Sequence, residues 1–451
     1  MSSYVSYKTV MKRMASALTQ LQHSFTHQQL ERWSLLILRS MSGHFRIFHR
    51  PHHIIALSEN LDPIGILSAL YHDVVYYQID GGFLPDIEAI LSPYFHSVNG
   101  VLYISELAPS SDLIFNMALE VFGFKRGDKL LIHAGQNEFL SALLALRELE
   151  QTLSLRELLM LVVCIEATVP FRGKEDVFST LKRRILTVND HLKLGLSPND
   201  VEMGLKRAVI LANKDVENFS YSDTAKFLDN TWMLLPETHK KLQESSFYTI
   251  KEYRLALQGM EAFLSQLDAH RVFYTYNNTP PKHDFDSIIS LADRNLHLGR
   301  TYLRVKLYET AILEALAELT GGDLPMIYFV GDRVRGKKNS KTIESYLEYS
   351  SNKHPEDQDQ ALIALFSEGR AQESSFDSKK SPLSFYLYKN LGELATLEGV
   401  KDAKRFFASE LTSKNFLRSQ KLEMICDLAQ AIAHFAESRA PALRKMADLL
   451  A

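Results

Sequence analysis

Apolar residues recur at intervals of three and four along nearly the whole of this chain, and that spacing leaves helices as its building material. Leu30, Trp33, Leu36, Ile37 and Met41 make one such face. Leu140, Leu143, Leu144 and Leu146 make a second, and Leu303, Leu307, Ala311, Leu313 and Leu316 a third. The third helix is expected to stop at Gly321-Gly322, where glycine takes the left-handed cap conformation without a steric penalty. Alternation of the kind that marks strands is rare. Val101–Ile104 and Met326–Val330 are the two short stretches that fit it. The expected fold class is all-α.

A chain of 451 residues is long enough for two or three domains. The pattern predicts an N-terminal helix within residues 1–24, a helical domain over 25–245 and a C-terminal helical region over 246–451. Tyr274–Asp284 carries Asn277-Asn278 and Pro280-Pro281 and reads as a loop. Arg333–Lys341, basic and polar, and Ser367–Ser381, rich in serine and charge, read as exposed connections. With 51 basic and 54 acidic side chains the net charge is −3, so no overall field draws the chain to nucleic acid or anionic lipid. Cys164 and Cys426 each sit in an apolar run and are read as buried thiols of a reducing compartment. The first twenty residues lack the basic-then-apolar order of a secretion leader. The apolar run at Leu158–Ile165 falls far short of the ~20 residues that span a bilayer. A soluble, cytoplasmic protein without a membrane partner is expected.

The chemistry concentrates in two short stretches, Phe48-His49-Arg50-Pro51-His52-His53-Ile54 and Tyr71-His72-Asp73-Val74-Val75-Tyr76. Pro51 suits a first helical turn, where its missing N–H costs nothing, so His53 falls inside that turn and His49 just before it. Consecutive His72 and Asp73 are expected to stand about 100° apart on one helix. Together with an imidazole from a facing helix they can close on one cation. Nitrogen and oxygen ligands in this mix suit Mn, Fe, Co, Ni or Zn better than Ca. His52 is expected to be exposed. Gly331–Lys338 holds glycine and lysine without Walker-loop spacing and reads as a basic loop. Phe273, Tyr274 and Tyr276 read as a packing edge.

These blocks, followed by Asn137-Glu138 with Ser141-Ala142 and by Ile165-Glu166-Ala167-Thr168, resemble the predicted metal-dependent phosphohydrolases of the HD superfamily. In that family an aromatic-His-Asn-x-x-His-Ile block, a Phe-His-Asp-hydrophobic-Val-Tyr block, an Asn-Glu-x-x-Ser-Ala block and an Ile-x-x-Thr block follow in the same order. The resemblance covers roughly residues 45–220 and implies an HD-domain-like helical core with additional C-terminal helices. Carried over position by position, it implies one divalent transition metal ion held by His53, His72, Asp73 and Asp215. His49 and Glu138 are then the candidates for proton transfer, and Arg50, Arg172 and Asn137 for holding substrate. Ser141 and Thr168 are read as packing or capping residues.

The chain departs from the family pattern at three places. Arg50 stands where the family has asparagine, Pro170-Phe171-Arg172 replaces a histidine, and residues 77–136 read as an insertion. The leading expectation is a phosphohydrolase acting on a small phosphorylated molecule, a nucleotide above other classes. The alternative is a non-catalytic regulatory protein that binds metal or nucleotide through the same core. Residues 246–451 say little; the face of Leu422, Ile425, Leu428, Ile432 and Phe435 suits a core, a homo-oligomer contact or a partner groove equally.

Overall fold

The computed structural model describes residues 3–172, 176–244, 247–331, 343–347 and 356–450. Among them helices dominate, and the chain is all-α apart from one short hairpin. It divides into two compact units, Met1–Phe219 with Asp268–Ser290, and Ser220–Leu267 with Leu291–Ala451.

The first unit contains α1 (Ser3–Gln20), α2 (His27–Met41), α3 (Pro51–Leu57), α4 (Pro63–Tyr71), α5 (Tyr77–Asp80) and α6 (Pro85–Leu91). The hairpin β1 (Phe95–Val98) and β2 (Val101–Ile104) follows, then α7 (Leu113–Phe122), α8 (Gln136–Leu149), α9 (Leu155–Ala167), α10 (Val177–Leu192) and α11 (Pro198–Asp215). Its centre is α9. The run Leu158–Ala167 is buried at every position, which follows from a sequence apolar on all sides of the helix up to Ile165 and from the pairing of Glu166 with Arg172. Around it pack α4, α7, α8, α10 and α11. Gly204 on α11 leaves no room for a β-carbon against Met160, which lets these two helices approach closely. A capping box starts α9: Ser154 accepts the Glu157 N–H, and the Glu157 carboxylate accepts the Ser154 N–H at 2.8 Å.

Val101–Ile104 is a strand, as its alternation predicts, and pairs antiparallel with Phe95–Val98. Asn99 and Gly100 join the two at φ of 51° and 76°, the backbone that a tight hairpin turn demands. Met326–Val330, the other strand-like stretch, is instead a short helix ended by Gly331. Met326, Phe329 and Val330, spaced three and four apart, are its buried residues, so helical spacing overrides the look of alternation.

In the second unit Trp232, Tyr302, Phe366 and Tyr388 are buried and in ring contact: Trp232 meets Tyr302 edge-on, Tyr302 stacks on Phe366, and Phe366 meets Tyr388 at a tilt. The helix through Leu303 ends at Thr320, and Gly321 and Gly322 both take positive φ, as expected. Ser367–Ser381 is not simply an exposed connection. Arg370, Phe376, Asp377 and Ser381 are buried, because each charge finds a partner. Asp377 Oδ2 accepts from Trp232 Nε1 at 3.0 Å and the Tyr253 hydroxyl at 2.9 Å, and it faces Arg370 Nη1 at 3.5 Å and Lys306 Nζ at 3.9 Å. Arg333–Lys341 lies outside the described residues. Among the described residues no helix is long and apolar enough to cross a membrane. Both cysteines are free, Cys164 buried and Cys426 half-buried.

Candidate metal centre

Three helix ends in the first unit bring the site together. Pro51 opens α3 as its first residue, and His53 sits in that opening turn with its N–H on the Arg50 carbonyl. The α4 helix starts on Asp62, whose carboxylate caps Gly65 N–H at 2.8 Å, and ends at Tyr71. His72 caps that end and Asp73 lies beyond it. The pair therefore does not ride on one continuous helix; it stands at a helix terminus, where the chain turns and both side chains swing to one side. Asp215 is the last residue of α11. Helix C-termini carry the negative end of the backbone dipole, so α4 and α11 both favour a cation where His72 and Asp215 stand.

His53, His72, Asp73 and Asp215 each offer one ligand atom, and these atoms all lie within 4.8 Å of one another. His72 Nε2 is 3.0 Å from Asp73 Oδ2 and 3.2 Å from Asp215 Oδ1. His53 Nε2 is 3.5 Å and 3.1 Å from the same two oxygens. Neither Nε2 achieves hydrogen-bond geometry, and both are buried. The other nitrogen of His72 is accounted for: Nδ1 meets the Ala69 carbonyl at 2.9 Å, and a carbonyl only accepts, so Nδ1 carries the hydrogen. Such a bond fixes the ring and leaves Nε2 to face the centre, as metal-ligating histidines are held elsewhere.

Burial disfavours every charge in this cluster, and the charges answer by pairing. Against its own desolvation, His53 is held up to about 9 by Asp215 and Asp73. His72 is raised by the same two carboxylates, again against burial. Asp215, despite burial, is drawn down to about 2 by His72 and His53, and Asp73 is lowered by His72 and His49. Two imidazolium rings facing two carboxylates are what this donor set becomes in the absence of a cation. A divalent ion would displace the two imidazolium protons and take the same four ligand atoms, so the residues fit it.

No family model, curated protein or solved structure matches the chain. The geometry is then what speaks for the remaining candidates. His49 Nε2 lies 4.0 Å from Asp73 Oδ2, and its ring packs edge-on against Tyr76 at 4.7 Å. Glu138, half-buried near the start of α8, is pushed up to about 8, first by loss of water and then by the nearby charges of Asp73 and Asp215. Asn137 and Ser141, one turn apart on α8, hold the backbone that follows the His72-Asp73 pair. Asn137 Oδ1 accepts the Tyr77 N–H at 3.3 Å and Ser141 Oγ the Val75 N–H at 3.0 Å. Thr168 caps α9, its hydroxyl donating to the Ile165 carbonyl at 2.7 Å. Arg50 is exposed, with Nε on the Arg46 carbonyl at 2.6 Å. Arg172 is committed inward: Nη1 and Nη2 meet the buried Glu166 carboxylate at 2.5 and 3.0 Å. His52 is exposed, as expected.

Arg46 escaped the sequence reading. It has 0% exposure and forms a two-pronged pair with Asp80, Nε to Oδ1 at 3.0 Å and Nη2 to Oδ2 at 2.6 Å. The signal was there in Phe45-Arg46-Ile47-Phe48, an arginine set among apolar and aromatic residues that must find a buried anion. Its partner, 34 positions away, was not legible.

Proposed function

We propose that this chain is a metal-dependent phosphohydrolase of the HD type that acts on a small phosphorylated molecule, a nucleotide above other classes. The observation that carries the reading is the convergence of His53, His72, Asp73 and Asp215, each with a ligand atom within 4.8 Å of the others. The order of sequence blocks around those four residues supports the hydrolytic chemistry. A divalent transition metal bound there supplies Lewis acidity, lowering the pKa of water from 15.7 towards roughly 7 and offsetting charge on a phosphoryl oxygen.

The chain's own groups divide the rest. Glu138, pushed up to about 8 by burial, is suited to carry a proton on its carboxyl and pass it to the leaving oxygen. His49 stands against Asp73 at the rim of the ligand set, where its imidazole can take or return a proton at the substrate's edge. Arg50, exposed beside His53, is placed to meet a phosphate from solvent, and a guanidinium recognises phosphate through paired hydrogen bonds. Arg172 would share its guanidinium between Glu166 and substrate, and Asn137 would act through the backbone it holds.

The experiment is metal content by elemental analysis of the purified protein, with an Asp73→Ala variant alongside. Near-stoichiometric metal in the wild type and its loss in the variant are expected. The retained ion is then used in a screen of nucleotide and phosphoester hydrolysis. Absence of metal from both proteins, even after soaking with Mn, Fe, Co, Ni and Zn, would remove the proposal.

A further inference from the structure

Of the four candidate ligands His53 and Asp215 lie within helices and His72 caps one, whereas Asp73 lies beyond a helix end. Its carboxylate can aim at a cation only if the turn after α4 is fixed by other means. Arg46 supplies one side of that fixing. Beyond its pair with Asp80, Nη1 donates to the Asp73 carbonyl at 2.7 Å and Nη2 to the Val74 carbonyl at 3.0 Å. Nη1 also lies 3.0 Å from Met41 Sδ at the end of α2, and the guanidinium stands over the Tyr76 ring at 5.9 Å. From the opposite side, Ser141 and Asn137 take the N–H groups of Val75 and Tyr77. The backbone from 73 to 77 is thus held by its carbonyls on Arg46 and by its N–H groups on α8.

We propose that Arg46 is a positioning residue of the metal centre: it sets the direction of the Asp73 carboxylate, so cation affinity depends on a guanidinium that touches no ligand atom. The inference rests on the reading of His53, His72, Asp73 and Asp215 as a cation site. Several features make arginine, and not merely a positive charge, the requirement. A planar fork is needed to hold both Asp80 oxygens and two successive carbonyls at once. A lysine ammonium is a point charge with three donors and cannot span them. The Asp80 side chain is 8% exposed, so its carboxylate gives the buried guanidinium a partner and holds it in place. The Arg46–Asp80 pair ties the segment between α2 and α3 to the last residue of α5.

The test uses the full chain and Co²⁺, whose visible absorption reports both affinity and ligand geometry. Arg46→Lys retains the charge that Asp80 requires, and Arg46→Met with Asp80→Leu removes both charges so that neither is left buried alone. In either variant, a wild-type far-UV circular dichroism spectrum with Co²⁺ binding weakened at least about tenfold and altered absorption bands is expected. A folded variant that binds Co²⁺ as tightly as the wild type, with the same spectrum, overturns the proposal. An Asp215→Ala control separates the two readings. If it binds Co²⁺ like the wild type, or if the wild type binds none, the cation site itself is wrong and Arg46 falls with it. If only Asp215→Ala loses binding, the site stands and Arg46 is a packing residue alone.

Discussion

Four groups that share one small volume must exchange protons when a cation arrives, and the direction is fixed by where each titrates. His53 is held at about 9 against an ordinary 6.5, so its pairing stabilises the ion-free fold fully below pH 6.5 and is lost as pH rises through 9. Asp215, at about 2 against 3.8, contributes above pH 3.8 and loses its contribution as pH falls through 2. Between these limits both histidines carry protons that a metal must displace. Cation binding at pH 7 is therefore expected to release about two protons and to tighten as pH rises towards 9. Calorimetric titration in buffers of different ionisation enthalpy counts them; zero release would show that the histidines carry no displaceable protons at pH 7. Glu138 gives a separate prediction. Glu138→Gln should retain metal yet lose about 10²–10⁴ in kcat with the best substrate found, and an unchanged rate would end its role in proton transfer.

At the scale of the element, short segments place the ligands and helix ends aim them. The sequence made α3 legible through Pro51, and the buried length of α9 through its unbroken apolar run. It misplaced His72 and Asp73 on one helix, since nothing in Tyr71-His72-Asp73-Val74 announces a stop. The stop comes from distant residues: Arg46 takes the Asp73 and Val74 carbonyls, and Ser141 the Val75 N–H. Pairings 27 and 66 positions apart leave no periodic mark. The same holds for Arg172, whose pairing with Glu166 could be read only once α9 and its exit loop were folded. Ser141→Ala tests the α8 side of this clamp. It leaves the buried Val75 N–H without an acceptor, which costs about 1–3 kcal/mol in urea unfolding. A change below about 0.5 kcal/mol would mean that another acceptor takes the N–H, and that α8 does not hold the turn.

On the scale of the whole molecule, all four candidate ligands belong to the first compact unit, while the second carries its own buried charge network around Asp377. Each unit has its own core, which makes two unfolding transitions the expectation in scanning calorimetry. A ligand stabilises what it binds by RT ln(1 + [L]/Kd), about 2.7 kcal/mol at a hundred times Kd. Saturating metal should therefore raise one transition and leave the other in place. Asp377→Ala should do the converse. It strips the anion from between Arg370 and Lys306, both with 1% exposure or less, and breaking a buried pair of this kind costs about 3–5 kcal/mol. The transition that metal does not move is the one this variant should lower. A single transition shifted by both changes would mean that the two units unfold together. In that case, loss of metal would weaken the C-terminal residues as much as the site itself.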